Sequence, residues 1–325
     1  MTRTLVIGGT LFIGRALVEQ LLARGDDVVI MHRGQGTPQG DRVREIRCDR
    51  NDVPAVQAEL ARESFDVVFD NVYDWQRGTT AEMVAAAARA AAEGGKLKRY
   101  VFTSSMAVYG SGLEHDEQDP LVPADHPAAY YGQKAESERA LFRLGREEGV
   151  PVATLRPAFI YGPNNPFDRE AFFWDRIVAG RPVIVPGDGS RPMQWVHVRD
   201  VARAALLAAG HDAASGSAYN LAGPPLTQAE FVQALARAAG DSVRLVPVPR
   251  ERLESAGGSL MTPPLYFGAF LDLPPITVKT DRVRAELGLV LTPLEEGLQE
   301  TFSWYQRQQR VKPDFAWEDR LIETA

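Results

Sequence analysis

Thr4-Leu5-Val6-Ile7-Gly8-Gly9-Thr10-Leu11-Phe12-Ile13-Gly14 is the stretch that decides the fold. Its first residues form an apolar run of strand length, and the glycines after it lead into a segment with helical spacing. A strand that turns through glycines into a helix presents backbone N–H groups and the positive end of the helix dipole, a natural cradle for a pyrophosphate. Gly8 permits the tight turn, and Gly14 lets the helix pack closely on the strand. Leu11 stands where the usual pattern has its middle glycine, so the approach of backbone to phosphate is expected to be altered.

Outward from this turn, Val28–Met31, Val67–Phe69, Tyr100–Thr103 and Val152–Leu155 read as further strands after Leu5–Ile7. Helices are predicted from near Phe12, at Asp52–Arg62, at the Ala-rich Thr80–Ala92 and at Tyr130–Glu148. Strands alternating with helices form a parallel sheet covered on both faces. The expectation is an α/β fold, a Rossmann-like doubly wound sheet with a smaller C-terminal α+β substrate lobe. Residues 1–162 are assigned to the dinucleotide-binding domain and 163–325 mainly to the substrate lobe, with segments near 194–222 returning to the first. Beyond Gly162, prolines such as Pro163, Pro166, Pro182, Pro186, Pro224 and Pro225 separate short elements. Helices near Asp200–Ala209, Gln228–Ala239 and Leu294–Gln308 carry apolar residues at three- and four-residue spacing and so hide one face.

Composition narrows the class. With 45% hydrophobic and 24% charged residues, the 325-residue chain has ordinary globular balance. Thirty-six basic against 43 acidic residues give a net charge of −7, without the basic footprint of a nucleic-acid or anionic-membrane binder. The single cysteine, Cys48, forms no internal disulfide, and the Met-Thr-Arg start runs straight into a strand, so a cytoplasmic protein is expected. No apolar run approaches the roughly 20 residues that span a bilayer. The five histidines and Cys48 lack metal-ligand spacing, and no metal is expected.

The tip of the second strand reads Met31-His32-Arg33. A carboxylate there would bind the ribose 2′-hydroxyl of NAD, whereas the Arg33 guanidinium suits a 2′-phosphate. Among NAD(P) cofactors NADP is therefore favoured, with Arg15 a second cation within reach.

Tyr130 and Lys134 are four residues apart in a predicted helix, so they share a face. An ammonium close to a phenol favours phenolate and would lower the tyrosine pKa from about 10. Such a pair exchanges a proton with a substrate oxygen while a nicotinamide exchanges hydride. Ser105 follows the Tyr100–Thr103 strand at its carboxyl end, where ligands bind in such sheets, and its hydroxyl is suited to holding the substrate oxygen.

With these residues the chain resembles an extended short-chain dehydrogenase/reductase of the NAD-dependent epimerase/dehydratase family. The likeness rests on Gly8–Gly14, Val101-Phe102-Thr103-Ser104-Ser105 with Val108-Tyr109-Gly110, Tyr130 with Lys134, Leu155-Arg156-Pro157 with Tyr161-Gly162-Pro163, and Val196-His197-Val198-Arg199-Asp200-Val201. The resemblance implies that Ser105, Tyr130 and Lys134 are catalytic, that Lys134 also binds the nicotinamide ribose, and that Asp49 lies where adenine is contacted. Read without the resemblance, Asp49 serves equally well as a cap for the Asp52–Arg62 helix. Cofactor contacts are expected from Gly8, Thr10, Leu11, Phe12, Ile13, Gly14, Arg33, Asp49, Lys134 and Pro157. Substrate contacts are expected from Ser105, Met106, Phe159, Arg191 and Met193. The resemblance further implies a homodimer formed by the Thr80–Ala92 and Tyr130–Glu148 helices.

Departures from the family limit the substrate. Members acting on nucleotide sugars carry Asn after Arg-Pro-Phe and Arg before the His-Val segment, and this chain has Phe159 and Met193. Neither side chain pairs with a diphosphate, which leaves Arg191 or Arg176 as substitutes. Thr103 leads into Ser104-Ser105-Met106 rather than the Asp-Glu pair of 4,6-dehydratases, so elimination of water is not expected. The activity implied is hydride transfer at a hydroxyl- or carbonyl-bearing carbon of a small molecule. That molecule is a sugar or nucleotide sugar or, alternatively, a non-nucleotide carbonyl compound reduced by NADPH. Trp174, Trp195, Tyr266, Phe267 and Phe270 are candidates to line the substrate lobe. The bulky Leu11 and the basic strand tip also resemble the branch that includes chloroplast stem-loop RNA-binding proteins. Net acidity and the Ser105/Tyr130/Lys134 set argue against that alternative.

Overall fold

The computed structural model describes residues 2–34, 39–258 and 273–323. Seven strands form its main sheet: β1 (Arg3–Ile7), β2 (Asp27–His32), β3 (Arg44–Arg47), β4 (Val67–Asp70), β5 (Arg99–Thr103), β6 (Val152–Pro157) and β7 (Ser217–Leu221). They lie in the order β7-β6-β5-β4-β1-β2-β3, all parallel. The order reverses between β1 and β4, and it is at such a reversal, outside the carboxyl ends of the strands, that open α/β sheets bind ligands.

Side chains of successive strand residues point to opposite faces, which sorts the core into two layers. Val6, Ile30, Phe69, Val101 and Leu155 are buried in one layer together with residues of α1 (Phe12–Arg24) and α6 (Val198–Gly210). Leu5, Ile7, Val29, Val68, Tyr100 and Phe102 are buried in the other, with α2 (Val53–Arg62), α3 (Ala81–Glu93) and α4 (Ala129–Glu148). The small alanines of α3, with Ala87 and Ala88 wholly buried, let that helix lie close to its neighbours. Helix α2 is capped by Asp52, whose Oδ1 accepts from the Ala55 N–H at 3.1 Å, so Asp49 is left to another role.

Two sheet strands fall outside the sequence reading. β3 is an edge strand with the sequence Arg-Glu-Ile-Arg, charged as edge strands commonly are and therefore without an apolar run to announce it. β7 lies in the returning segment near 194–222 and pairs with β6.

Several of the remaining elements build a separate core. A parallel pair, Val183–Pro186 with Leu245–Val248, packs with α5 (Arg169–Ile177), α7 (Gln228–Ala238) and the helix Leu294–Gln306. Trp174 is fully buried here and donates its Nε1–H to the Leu235 carbonyl at 2.9 Å, while Trp195 stacks on Phe231 at 3.6 Å. Both are therefore packing residues rather than cavity walls. Tyr266, Phe267 and Phe270 lie outside the described residues. Among the described residues no helix is long and apolar enough to cross a membrane.

Candidate active site

A cavity of about 1000 Å³ opens along the carboxyl edge of the main sheet. At one end lies the glycine turn. Gly8 has φ +86°, and a Cβ on Gly14 would stand 1.8 Å from the Gly8 carbonyl oxygen, so glycine is required at both positions. Thr10, Leu11, Phe12 and Ile13 line the same end. Leu11 has an extended backbone (φ −126°, ψ 151°) that any residue adopts, and its side chain is 64% exposed. The bulky residue thus leaves the path of the main chain open, and the positive φ falls instead on Phe12, at 40°.

Arg33 and Asp49 also line this end. Arg33 Nη1 bonds Asp74 at 3.0 Å, and Asp74 takes a second guanidinium, that of Arg77, at 2.7 Å. Hydrogen bonds from the Arg77 backbone and side chain hold the Asp74 carboxyl at about 2. Asp49 accepts the Asn51 N–H at 2.9 Å and Arg77 Nη2 at 2.7 Å. Arg15 points elsewhere, bonding Glu19 and, at 3.1 Å, Asn164.

Ser105, Tyr130, Lys134 and Pro157 line the same cavity. Ser105 caps a 3-10 turn, Met106–Tyr109, by accepting the Ala107 N–H at 3.2 Å, which fixes it at the end of β5. Lys134 is 4% exposed, its Nζ donating to the Thr103 carbonyl at 2.6 Å and lying 4.4 Å from the Phe102 ring centroid. Burial lowers this ammonium to about 8.

Burial also pushes the Tyr130 phenol up to about 12, against the opposing effects of the Ser105 hydroxyl and the Arg169 charge. The Tyr130 pKa is thus raised where the spacing to Lys134 predicted a lowering. The ammonium is bonded to Thr103, and the cost of placing phenolate among aromatic rings dominates. Those rings are Trp75, stacked on Tyr130 with centroids 4.7 Å apart and planes at 26°, and Tyr73, edge-on at 4.7 Å.

The far end is walled by Met106, Phe159, Phe167, Arg169 and Met193. Sequence reading found Met106, Phe159 and Met193 but missed Trp75, Phe167 and Arg169. Of the two arginines considered as substitutes, Arg176 is buried in an ion pair with Glu318 and donates to the Phe172 carbonyl, remote from the cavity. Arg191 is not among the lining residues, and its Nη1 donates to the Leu273 carbonyl at 2.8 Å.

The sheet order and the glycine turn define a Rossmann-like protein. More specifically, the model of the NAD dependent epimerase/dehydratase family matches residues 4–222, and the chain belongs to that family. It is 33% identical over 255 residues to the chloroplast stem-loop binding protein of 41 kDa b of Arabidopsis thaliana, a match covering 73% of this chain and 63% of that one. The chain thus spans less than two thirds of that relative's length. It is 27% identical over 321 residues to the 4-hydroxy-2-methyl-3-oxo-4-farnesyl-3,4-dihydroquinoline-1-oxide ketoreductase of Stigmatella aurantiaca, covering 88% of this chain and 91% of the other. Among solved structures it resembles the UDP-glucose 4-epimerase of Thermus thermophilus in complex with NAD. There the TM-score is 0.74 and the identity 25%, over 94% of this chain and 99% of that one.

Proposed function

We propose that the protein is an NAD(P)-dependent oxidoreductase that exchanges hydride at a hydroxyl- or carbonyl-bearing carbon, with Tyr130 as the proton donor and acceptor. The observation that carries this reading is the convergence of Ser105, Tyr130, Lys134 and the Gly8–Gly14 turn on one cavity. A dinucleotide fits the groove. Asn71 Nδ2 and Ser104 Oγ belong to residues lining it, and both atoms are buried without a hydrogen-bond partner, the condition of groups that await a ligand.

When bound, the nicotinamide supplies or takes up the hydride. Protonated at neutral pH, Tyr130 is set to donate its proton to a substrate oxygen, the direction of carbonyl reduction. Ser105 holds that oxygen beside the phenol. Lys134, anchored on Thr103, offers its remaining N–H donors to ribose hydroxyls and brings positive charge towards the site. Arg33, at the cavity edge, favours the 2′-phosphate of NADP. Hydride returned to the same substrate gives epimerisation, the activity named for the Thermus relative, and hydride passed on from the cofactor gives net reduction, that named for the Stigmatella relative. By family likeness α3 and α4 would pair in a homodimer, which sedimentation tests.

The stem-loop binding relative supports a second reading, RNA binding. Titrating the purified protein with NAD(H), NADP(H) and a stem-loop RNA separates the two. Dinucleotide binding below about 1 mM is expected; RNA binding without dinucleotide binding would overturn the oxidoreductase reading.

A further inference from the structure

The substrate end of the cavity is an aromatic slot. Trp75 is 60% exposed although it lines the cavity and stacks on Tyr130, so one part of the indole meets the phenol and the rest is available to a ligand. The edge of Phe167 meets the same indole, with centroids 5.9 Å apart. The Arg169 guanidinium lies 5.4 Å from the Phe159 ring centroid and 5.8 Å from that of Phe167, while its Nη1 donates to the Ile160 carbonyl at 3.0 Å. Met106 and Met193 add polarizable thioethers. Among the described lining residues, the other cations are Arg33, bonded to Asp74, Arg50, buried against Asp70, and Lys134, bonded to the Thr103 carbonyl.

We infer that the substrate is a flat, ring-bearing ketone or secondary alcohol with at most one anionic substituent, held by stacking on Trp75 and facing Arg169. The chemistry of the wall supports this. Aromatic and thioether surfaces reward planar apolar groups, with offset or edge contacts contributing beyond area burial. A diphosphate needs several converging donors, and here one guanidinium, already bonded to a backbone carbonyl, stands among rings. In the reductive direction the carbonyl carbon gains hydride and becomes a secondary alcohol carbon, its oxygen takes the Tyr130 proton, the nicotinamide is oxidised, and Tyr130 is reprotonated from solvent. This inference rests on the proposed oxidoreductase function for its reaction but not for its ligand class.

The test measures binding of 2-naphthol, 6-hydroxy-2-naphthoate and UDP by calorimetry, on the full chain with and without saturating NADP+. Both naphthyl probes are expected to bind at least tenfold more tightly than UDP. Trp75→Leu should weaken both at least tenfold while leaving the NADP+ affinity within twofold, and Arg169→Gln should weaken the naphthoate selectively. Tighter binding of UDP, or a naphthol affinity within twofold of wild type in Trp75→Leu, overturns the inference. Naphthyl binding by a protein that ignores NADP+ would instead leave the slot standing and remove the oxidoreductase reading.

Discussion

Glu138 and Arg156 are joined by hydrogen bonds of 3.0, 3.0 and 2.5 Å inside the protein, one helical turn beyond Lys134. Glu138 belongs to α4, which carries Tyr130 and Lys134, and Arg156 to β6, next to the cavity residue Pro157. The guanidinium also donates to the Tyr109 hydroxyl at 2.7 Å. The pair therefore fixes the rotation of α4 against the sheet. Removing one partner leaves a buried charge uncompensated, so Glu138→Ala should cost about 3–5 kcal/mol in urea unfolding. A loss below about 1 kcal/mol would show that the pair adds little.

Tyr130→Phe removes only a hydroxyl at the proposed proton-transfer position. Turnover should fall by about 100-fold or more, with dinucleotide affinity within twofold of wild type. Full activity in this variant would take Tyr130 out of the mechanism.

Gly14→Ala puts a methyl 1.8 Å from the Gly8 carbonyl oxygen, a clash between backbone segments that no rotamer relieves. Dinucleotide binding should be lost even where circular dichroism shows a folded chain. Unchanged affinity would mean that the turn relaxes without consequence.

Glu170 is 2% exposed, and burial raises its carboxyl to about 7 from 4.5, against the opposing charge of Arg169 and the Asn165 hydrogen bonds. The folded state thus binds a proton more tightly than the unfolded one. Its contribution to stability is complete below about pH 4.5 and is lost as pH rises through 7, a difference on the order of 2–3 kcal/mol. Glu170→Gln should raise the melting temperature at pH 8.5 and change it little at pH 4.5. The reverse pattern would contradict the sign.

Arg33→Asp exchanges a phosphate-binding group for one that accepts from a ribose hydroxyl. The ratio of NADP to NAD affinity should fall by at least about tenfold, one strong charged contact. If the ratio is unchanged, Arg33 does not touch the cofactor.

The glycine turn and the Ser105, Tyr130 and Lys134 set were legible because each depends on local order, a strand end or a helical turn. Trp75, Phe167 and Arg169 carry no such signal. Trp75 follows β4 and the other two follow Gly162, and only folding brings them to one wall. Arg176 misleads for the opposite reason, because its partner Glu318 lies 142 residues away and spacing gives no hint that the charge is already matched. Likewise the raised Tyr130 pKa follows from burial, which includes rings contributed by another segment and is not visible in the spacing of Tyr130 and Lys134.

Every pairing in the main sheet is parallel, and this has a kinetic side. No two neighbouring strands there can close as a hairpin, so each pairing waits for a crossover and the chain has no short-range route to its sheet. Ser105 and the Gly8–Gly14 turn sit on different strands of that sheet, with β4 between their strands. A site built from the ends of β1 and β5 exists only once β4 lies between them, so a dinucleotide that binds there would stabilise the folded chain and not the unfolded one.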